Sequence, residues 1–401
     1  MRSIVKKVND VYSEQNPSTY VKTKNKLNNI LENKKKFLIN LKLTPKIFKN
    51  SKLIDLGCGS GQNSLIFDHL GSKCTLIEYD KKSYLNAKKL FKTYARKKFK
   101  ILNRDIFDIN LKDKFDIVVS NGVAHHTENI RKNINIGCKL LKKDGFFILG
   151  VANTAGYFQR NLQRYIVYNI SNSKEEIIRN SMFLFNEHIN RGIKYGGRSK
   201  LEIVYDSYLN PKIEALSTYE VKKIFNENNL DIYSSYNDLK DVKNFLNPNT
   251  NQFKAIFESK KRTIHKKELF LSELQNFSLS NNFNPTVNLS KLMKANNLLQ
   301  SISGAINDIS PTRYKINSSK ILTNIKKYKN TLPKLNNIKI IDLNHNKIFL
   351  EELEKILLII DNKKIENKKK IFKLKKLLKK THKILRGLNG TGMNYYVGYK
   401  I

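Results

Sequence analysis

The chain has 401 residues, with 75 Lys+Arg against 34 Asp+Glu and a formal net charge of +41. Its length predicts two or three folded units, more than one catalytic core needs. MRSIVKKVND has no apolar segment of the kind a secretory signal carries, and ILLII at 356–360 is far too short to span a bilayer. Residues 1–50 read as a helical extension. VKTKNKLNNILENKKKFLINL (21–41) spaces its leucines and isoleucines at near-helical intervals. Such an extension either closes over a cofactor pocket or packs as an extra helix.

Between Leu53 and Asn63 the chain reads LIDLGCGSGQN. A short apolar strand meets an acid, then three glycines at alternate positions, then residues able to begin a helix. Gly57, Gly59 and Gly61 let backbone N–H groups approach a ligand that side chains would block. The order Gly57-Cys58-Gly59-Ser60-Gly61-Gln62 lacks the last glycine of the dinucleotide fingerprint, and no Lys-Ser or Lys-Thr closes a phosphate loop. Asp55 would repel a pyrophosphate but accept hydrogen bonds from an ammonium group. The implied cofactor carries its own amine and positive charge.

A second strand, Lys73 to Glu78, ends in an acid 21 positions (78 − 57) after Gly57, where doubly wound folds grip ribose hydroxyls. A helix over Lys81 to Lys97 follows, and then a third strand in FKILNRDIFDI ending near Asp105. The fourth strand is Phe115 to Ser120, the next helix Asn129 to Leu141, and the fifth strand Gly145 to Ala152, announced by the Lys143-Asp144-Gly145 turn. Alternating strands and helices predict a doubly wound, mostly parallel sheet with ligands at the carboxyl ends of its strands.

DLGCGSG at 55–61, Glu78, Asp105 and SNGVAHHTEN at 120–129 resemble the class I S-adenosylmethionine-dependent methyltransferases. The likeness runs from about Lys52 to Ala152 and more weakly to Tyr236. It implies a seven-stranded Rossmann-like sheet and S-adenosyl-L-methionine as cofactor. Asp55, Gly57, Cys58, Gly59, Gly61 and Asn63 would face its methionine half, and Glu78 with Tyr79 the ribose. Asp105 and Ile106 would flank the adenine, and Ser120, Asn121 and Gly122 would lie beside the sulfonium. VYDSYLNPKIEALSTYEVKKIFNENNLDI (204–232) is similar to the later part of such enzymes, where a helix precedes the sixth strand.

Methyl transfer from a sulfonium depends on proximity and alignment, and a base is needed only where the acceptor loses a proton. His125 and His126 follow the fourth strand, and of two consecutive residues one is expected to face the pocket. Asn153, Tyr157, Arg160, Tyr205 and Tyr208 are candidate acceptor contacts within an aromatic, basic lid over 153–215 that is broken by Gly196-Gly197. Ser120-Asn121-Gly122-Val123 lacks the acid, prolines and aromatic of exocyclic-amine base methylases, and no Pro-Cys pair serves a pyrimidine-carbon methylase.

The charge admits a nucleic acid or an anionic surface as partner. The excess is nearly all lysine, spread along the chain with abundant Asn and Ile, which an AT-biased coding sequence also gives; arginine forks for base edges are sparse. A small-molecule acceptor is therefore preferred, with RNA methylation or a non-catalytic cofactor-binding scaffold as alternatives. Cys58, Cys74 and Cys138 form no C-x-x-C pair, so no metal site is expected and a reducing cytoplasm fits.

The methyltransferase core is expected over 51–240. Region 241–388 holds helical stretches such as 265–277 and 291–302. KKKIFKLKKLLKKTHKIL (368–385) reads as a basic amphipathic helix with Ile371, Leu374, Leu378 and Leu385 on one face. Asn394 to Lys400, within 389–401, is the expected antiparallel seventh strand, which makes 241–388 a helical insertion. The competing strand, NQFKAIFESK (251–260), would make everything after it an appendage.

Overall fold

The computed structural model describes residues 2–14, 24–196, 198–236, 266–278, 288–307, 309–312, 314–331, 340–380 and 392–401. Seven strands form one sheet: β1 (Lys52–Leu56), β2 (Lys73–Glu78), β3 (Lys100–Asn103), β4 (Phe115–Asn121), β5 (Leu141–Ala152), β6 (Leu230–Tyr236) and β7 (Met393–Lys400). Their order is β3-β2-β1-β4-β5-β7-β6, and β7 alone runs antiparallel to its neighbours. This is the doubly wound, mostly parallel seven-stranded sheet that the sequence implies, with an added helical region.

Alternation along the strands places a core on each face. Leu53, Ile117 and Val119 face one side, with α2 (Lys24–Asn40), α3 (Leu65–His69) and α4 (Lys81–Tyr94) packed there. Ile54, Leu56 and Val118 face the other, against α5 (Ile130–Leu140) and α10 (Thr218–Glu227). Helix starts follow their caps: Asp80 accepts from Ser83 N–H, Asn129 from Lys132 N–H, and Ser217 and Glu220 form a capping box.

Two boundaries differ from expectation. Helix α4 stops at Tyr94 rather than Lys97, because the buried Asp68 carboxylate accepts from the N–H groups of Arg96 at 2.6 Å and Lys97 at 3.0 Å. Strand β5 begins at Leu141, which pairs with Phe115 before the register shifts; the Lys143–Gly145 turn survives inside it, with Asp144 at φ +61°.

The N-terminal segment holds α1 (Arg2–Glu14) and α2. After β5 come α6 (Phe158–Asn169), α7 (Lys174–Leu184), α8 (Asn186–Gly196), α9 (Lys200–Val204) and a π-helical turn, Tyr205–Leu209. Between β6 and β7 in sequence lie α11 (Lys266–Ser278), α12 (Leu289–Asn307), α13 (Ser318–Thr331), α14 (Ile340–Asp361) and α15 (Asn367–Lys380). Side chains from both groups form a third core, in which Leu162, Tyr165 and Tyr208 meet Leu299, Ile302, Phe349 and Leu353. Leu374 and Leu378 of α15 are buried in it, while Phe372 is exposed. Gly197, Leu385 and 251–260 lie outside the described residues.

Polar bonds fasten this third core to the sheet. Glu273 of α11 is buried and accepts from Asn153 Nδ2 at 2.9 Å, Thr218 N–H at 2.7 Å and Gln300 Nε2 at 3.2 Å. Asn307 of α12 donates to the Thr154 carbonyl at 2.8 Å.

Candidate functional site

A cavity of about 850 Å³ opens at the carboxyl ends of β1 to β5, within the usual range for small-molecule sites, about 300–1,000 Å³. The turn after β1 shapes it. Gly57 has φ +81°, and a Cβ there would meet the Val123 methyls at 2.6 Å. Only glycine fits that conformation and that contact together. Gly59 N–H donates to Glu78 Oε2 at 2.7 Å, which ties the turn to the end of β2.

Acids gather at this end. Asp55 is buried and accepts from the Ser64 hydroxyl at 2.6 Å. Burial pushes its carboxyl up to about 6, against the Ser64 bond and the charge of Lys34, which hold it down. Glu78 is pushed up to about 7, again mainly by burial, opposed by N–H bonds from Asp80 and Gly59. Asp105 caps the short turn Ile106–Asp108 by accepting from Phe107 N–H at 2.9 Å. Carboxyl groups raised in this way by loss of solvent favour a ligand that brings positive charge and hydroxyl donors. The residues therefore fit the amine-bearing, ribose-bearing cofactor that the glycine turn implies.

Helix α2 walls the same end with Ile30, Lys34 and Phe37. Phe37 meets Tyr395 of β7 edge-on at 4.7 Å, and the Ser234 hydroxyl of β6 donates to the Leu41 carbonyl. These contacts fix α2 across the outer strands. Helix α1 reaches from one wall to another: Ser13 donates to Asp80 Oδ1 at 3.0 Å, and Glu14 pairs with Lys174 of α7 at 2.7 Å.

The loop after β4 joins this end to the other. Val123 lies against Gly57, and Ala124–His126 forms a 3-10 turn with the two imidazole centroids 4.1 Å apart. Both histidines line the cavity, where one was expected. The His126 Nδ1–H donates to the Lys212 carbonyl at 2.8 Å, so Nε2 is the proton-accepting nitrogen. Burial lowers both imidazoles, His125 well below its usual value and His126 less, where the Asp206 charge opposes it. Glu214 N–H donates to the His125 carbonyl at 2.9 Å and straps the loop down.

The far end is basic. Arg160 of α6, His188 and Arg191 of α8, Arg198 and Asp206 line it. Arg160 Nη1 donates to Gln163 Oε1 at 2.8 Å and to the Tyr208 hydroxyl at 3.1 Å, and it also meets His188 Nδ1. Arg198 pairs with Asp206 at 2.8 Å.

Of the residues singled out in the sequence, Asp55, Gly57, Cys58, Gly59, Asn63, Glu78, Tyr79, Asp105, Ile106, Asn121, Gly122, His125, His126, Tyr157 and Arg160 line the cavity. Five do not. Ser120 is fully buried and its hydroxyl donates to Asn133 Oδ1 at 3.3 Å, since β4 alternates its faces. Gly61 turns toward α4, where a Cβ would meet Ala87 and Phe91 at 3.2 Å. Asn153 is spent on Glu273 and on Gly156 N–H. Tyr205 faces Lys174, whose Nζ stands 5.0 Å from its ring centroid. Tyr208 is buried behind Arg160. Sequence reasoning missed Lys34, His188, Arg191, Arg198 and Asp206, which come from helices and turns without a local motif.

A family model described as a methyltransferase domain matches residues 47–229. The fold is similar to that of the YcgJ protein of Bacillus subtilis at 17% identity, covering 47% of this chain and 65% of that one, with a TM-score of 0.30. It is also similar to magnesium protoporphyrin IX methyltransferase of Synechocystis PCC 6803, a structure with bound SAM, at 12% identity over 59% and 76% of the two chains, TM-score 0.31. TehB of Haemophilus influenzae matches at 20% identity over 36% and 46%, TM-score 0.26. The chain thus spans less than two thirds of the YcgJ and TehB chains. No curated protein sequence matches it. With its acid-lined glycine turn, the part of the chain at 47–229 is similar to a methyltransferase domain.

Proposed function

We propose that the protein transfers a methyl group from S-adenosylmethionine to a small-molecule acceptor held in the same cavity. The observation that carries this reading is the continuity of that cavity. One space of about 850 Å³ has Asp55 and Glu78 at one end, a separate polar group at the other, and the His125–His126 turn between them in the chain of contacts. The bound cofactor supplies an electrophilic methyl group whose bond to sulfur breaks, the electron pair staying on sulfur, as the bond to the acceptor forms. Asp55 takes the ammonium, Glu78 the ribose hydroxyls, and Lys34 stands in the wall for the carboxylate. Holding two reactants in line supplies most of the acceleration, up to roughly 7–11 kcal/mol for well-oriented groups. His126 removes the acceptor proton through Nε2, the nitrogen left basic by its bond to Lys212. Its lowered affinity for protons keeps it neutral, and so able to accept one, at neutral pH.

Calorimetry with S-adenosylmethionine tests the donor half. Asp55→Ala and Glu78→Ala are expected to weaken binding, and unchanged affinity in both would sink it. Labelled cofactor and a fractionated extract test the acceptor half, with label expected among metabolites. The charge of +41 favours RNA as the second reading; label in the RNA fraction with steeply salt-dependent binding would establish it. Cofactor binding without any transfer would point to a scaffold. The three free, buried thiols suit a reducing cytoplasm, and among the described residues no helix is long and apolar enough to cross a membrane.

A further inference from the structure

The basic end of the cavity has a chemistry that a cationic donor does not use. Arg160, Arg191 and Arg198 line it, and Arg198 pairs with Asp206 at 2.8 Å. Arg160 is buried, and Gln163, Tyr208 and His188 around its Nη1 are all neutral. His188 is held uncharged by burial and by the fields of Arg160, Arg191 and Arg198. One turn along α6, Arg164 is fully buried outside the cavity lining, where Nη2 donates to the Asn210 carbonyl at 2.7 Å and its guanidinium lies over the Tyr168 ring. A buried guanidinium held only by neutral groups keeps its charge uncompensated, and since Arg160 lines the cavity, an anionic ligand there can pair with it.

The choice of residue points the same way. Twelve of the chain's 75 basic residues are arginine, and five of them, Arg160, Arg164, Arg179, Arg191 and Arg198, fall within 39 positions, three of them lining the cavity. Lysine carries the same charge and dominates everywhere else. Arginine adds a planar fork that matches carboxylate and phosphate oxygens two at a time.

We propose that this end binds an anionic group of the methyl acceptor, a carboxylate or a phosphate, through Arg160 and Arg191. The acceptor class is then small anionic molecules; this rests on the methyl-transfer reading above. His126 lines the same cavity as the arginines, and Asp206 pairs with Arg198 there, so an acceptor anchored at the arginines shares that space with the base.

The test uses the full chain saturated with S-adenosylhomocysteine and titrated with benzoate, phenyl phosphate and benzamide. One of the two anions is expected to bind at least tenfold more tightly than benzamide, and the stronger one assigns carboxylate or phosphate. Arg160→Gln and Arg191→Gln, made separately, should each weaken that anion about tenfold or more and leave S-adenosylhomocysteine affinity within twofold. Arg191 is less buried than Arg160 and serves where Arg160→Gln fails to fold. Equal binding of benzamide, no binding of either anion, or anion binding unchanged in the folded variants overturns the proposal. Failure of S-adenosylhomocysteine itself to bind overturns the methyl-transfer reading instead. The same titrations without it then judge the anion site alone: arginine-dependent binding keeps it, and none removes it.

Discussion

The two ends of the cavity are built by different parts of the molecule and carry opposite charge. Asp55 and Glu78 stand at the ends of β1 and β2, braced by Ser64 and by N–H groups of the glycine turn. Arg160, Arg191 and Arg198 come from α6, α8 and the turn after it, which pack on the third core with α11 to α15. On the proposed reading, cofactor recognition rests on backbone geometry within the sheet, and acceptor recognition on side chains gathered by helices. A change to the helical region should alter what is methylated and leave the donor in place.

The strongest way to break this division is Asp55→Ala. A charge-assisted hydrogen bond is worth about 1.5–3 kcal/mol, so donor affinity should fall roughly 10–100-fold by calorimetry while benzoate or phenyl phosphate binding holds. A parallel loss of both would mean that the ends are not separable.

The pH dependence gives the next effect. Asp55 and Glu78 are raised to about 6 and about 7 by burial. The ammonium and hydroxyls of the donor favour the carboxylate forms and so lower both values on binding. Affinity is therefore full above pH 7 and is lost as pH falls through 7 and then 6. A drop of about tenfold between pH 8 and pH 6 is expected, with proton release on binding measurable in buffers of different ionisation enthalpy. Affinity flat over that range would contradict the raised values.

Glu273→Gln probes the joint between the sheet and the third core. The amide keeps one acceptor oxygen but loses charge and one acceptor position against Asn153, Thr218 and Gln300. A loss of about 1–2 kcal/mol in denaturant unfolding is expected, with donor affinity unchanged. Smallest is Arg179→Ala. Arg179 is an exposed arginine paired with Glu176, and both stability and anion binding should change little, about 0.5 kcal/mol or less. A large loss of anion binding there would show that general basicity, and not the buried cluster, holds the acceptor.

The donor end was legible because its residues sit in short runs. Asp55 to Gly61 form one turn, and Glu78 and Asp105 mark the ends of successive strands. Ser120 and Gly61 were misplaced because a motif fixes position in the chain but not which face a side chain takes; β4 alternation sends Ser120 toward Asn133. Lys34 was hidden inside a lysine-rich helix, and only the docking of Phe37 on Tyr395 brings it to Asp55. Met393–Lys400 lies antiparallel between β5 and β6, as expected for the seventh strand; that expectation came from the family resemblance, since a chain return across more than 150 residues, from Tyr236 to Met393, is encoded by no local pattern.

By itself, the sequence determined the α/β sheet, the glycine turn and the kind of cofactor, since each depends on periodicity, on φ > 0 at a glycine, or on an acid at a strand end. Tertiary structure alone decided the arginine-lined end of the cavity, the proposed acceptor site. Arg160, His188, Arg191, Arg198 and Asp206 share a cavity only because helices from distant stretches bury a common core. Side-chain convergence over such separations follows from packing and leaves no periodic trace in the chain.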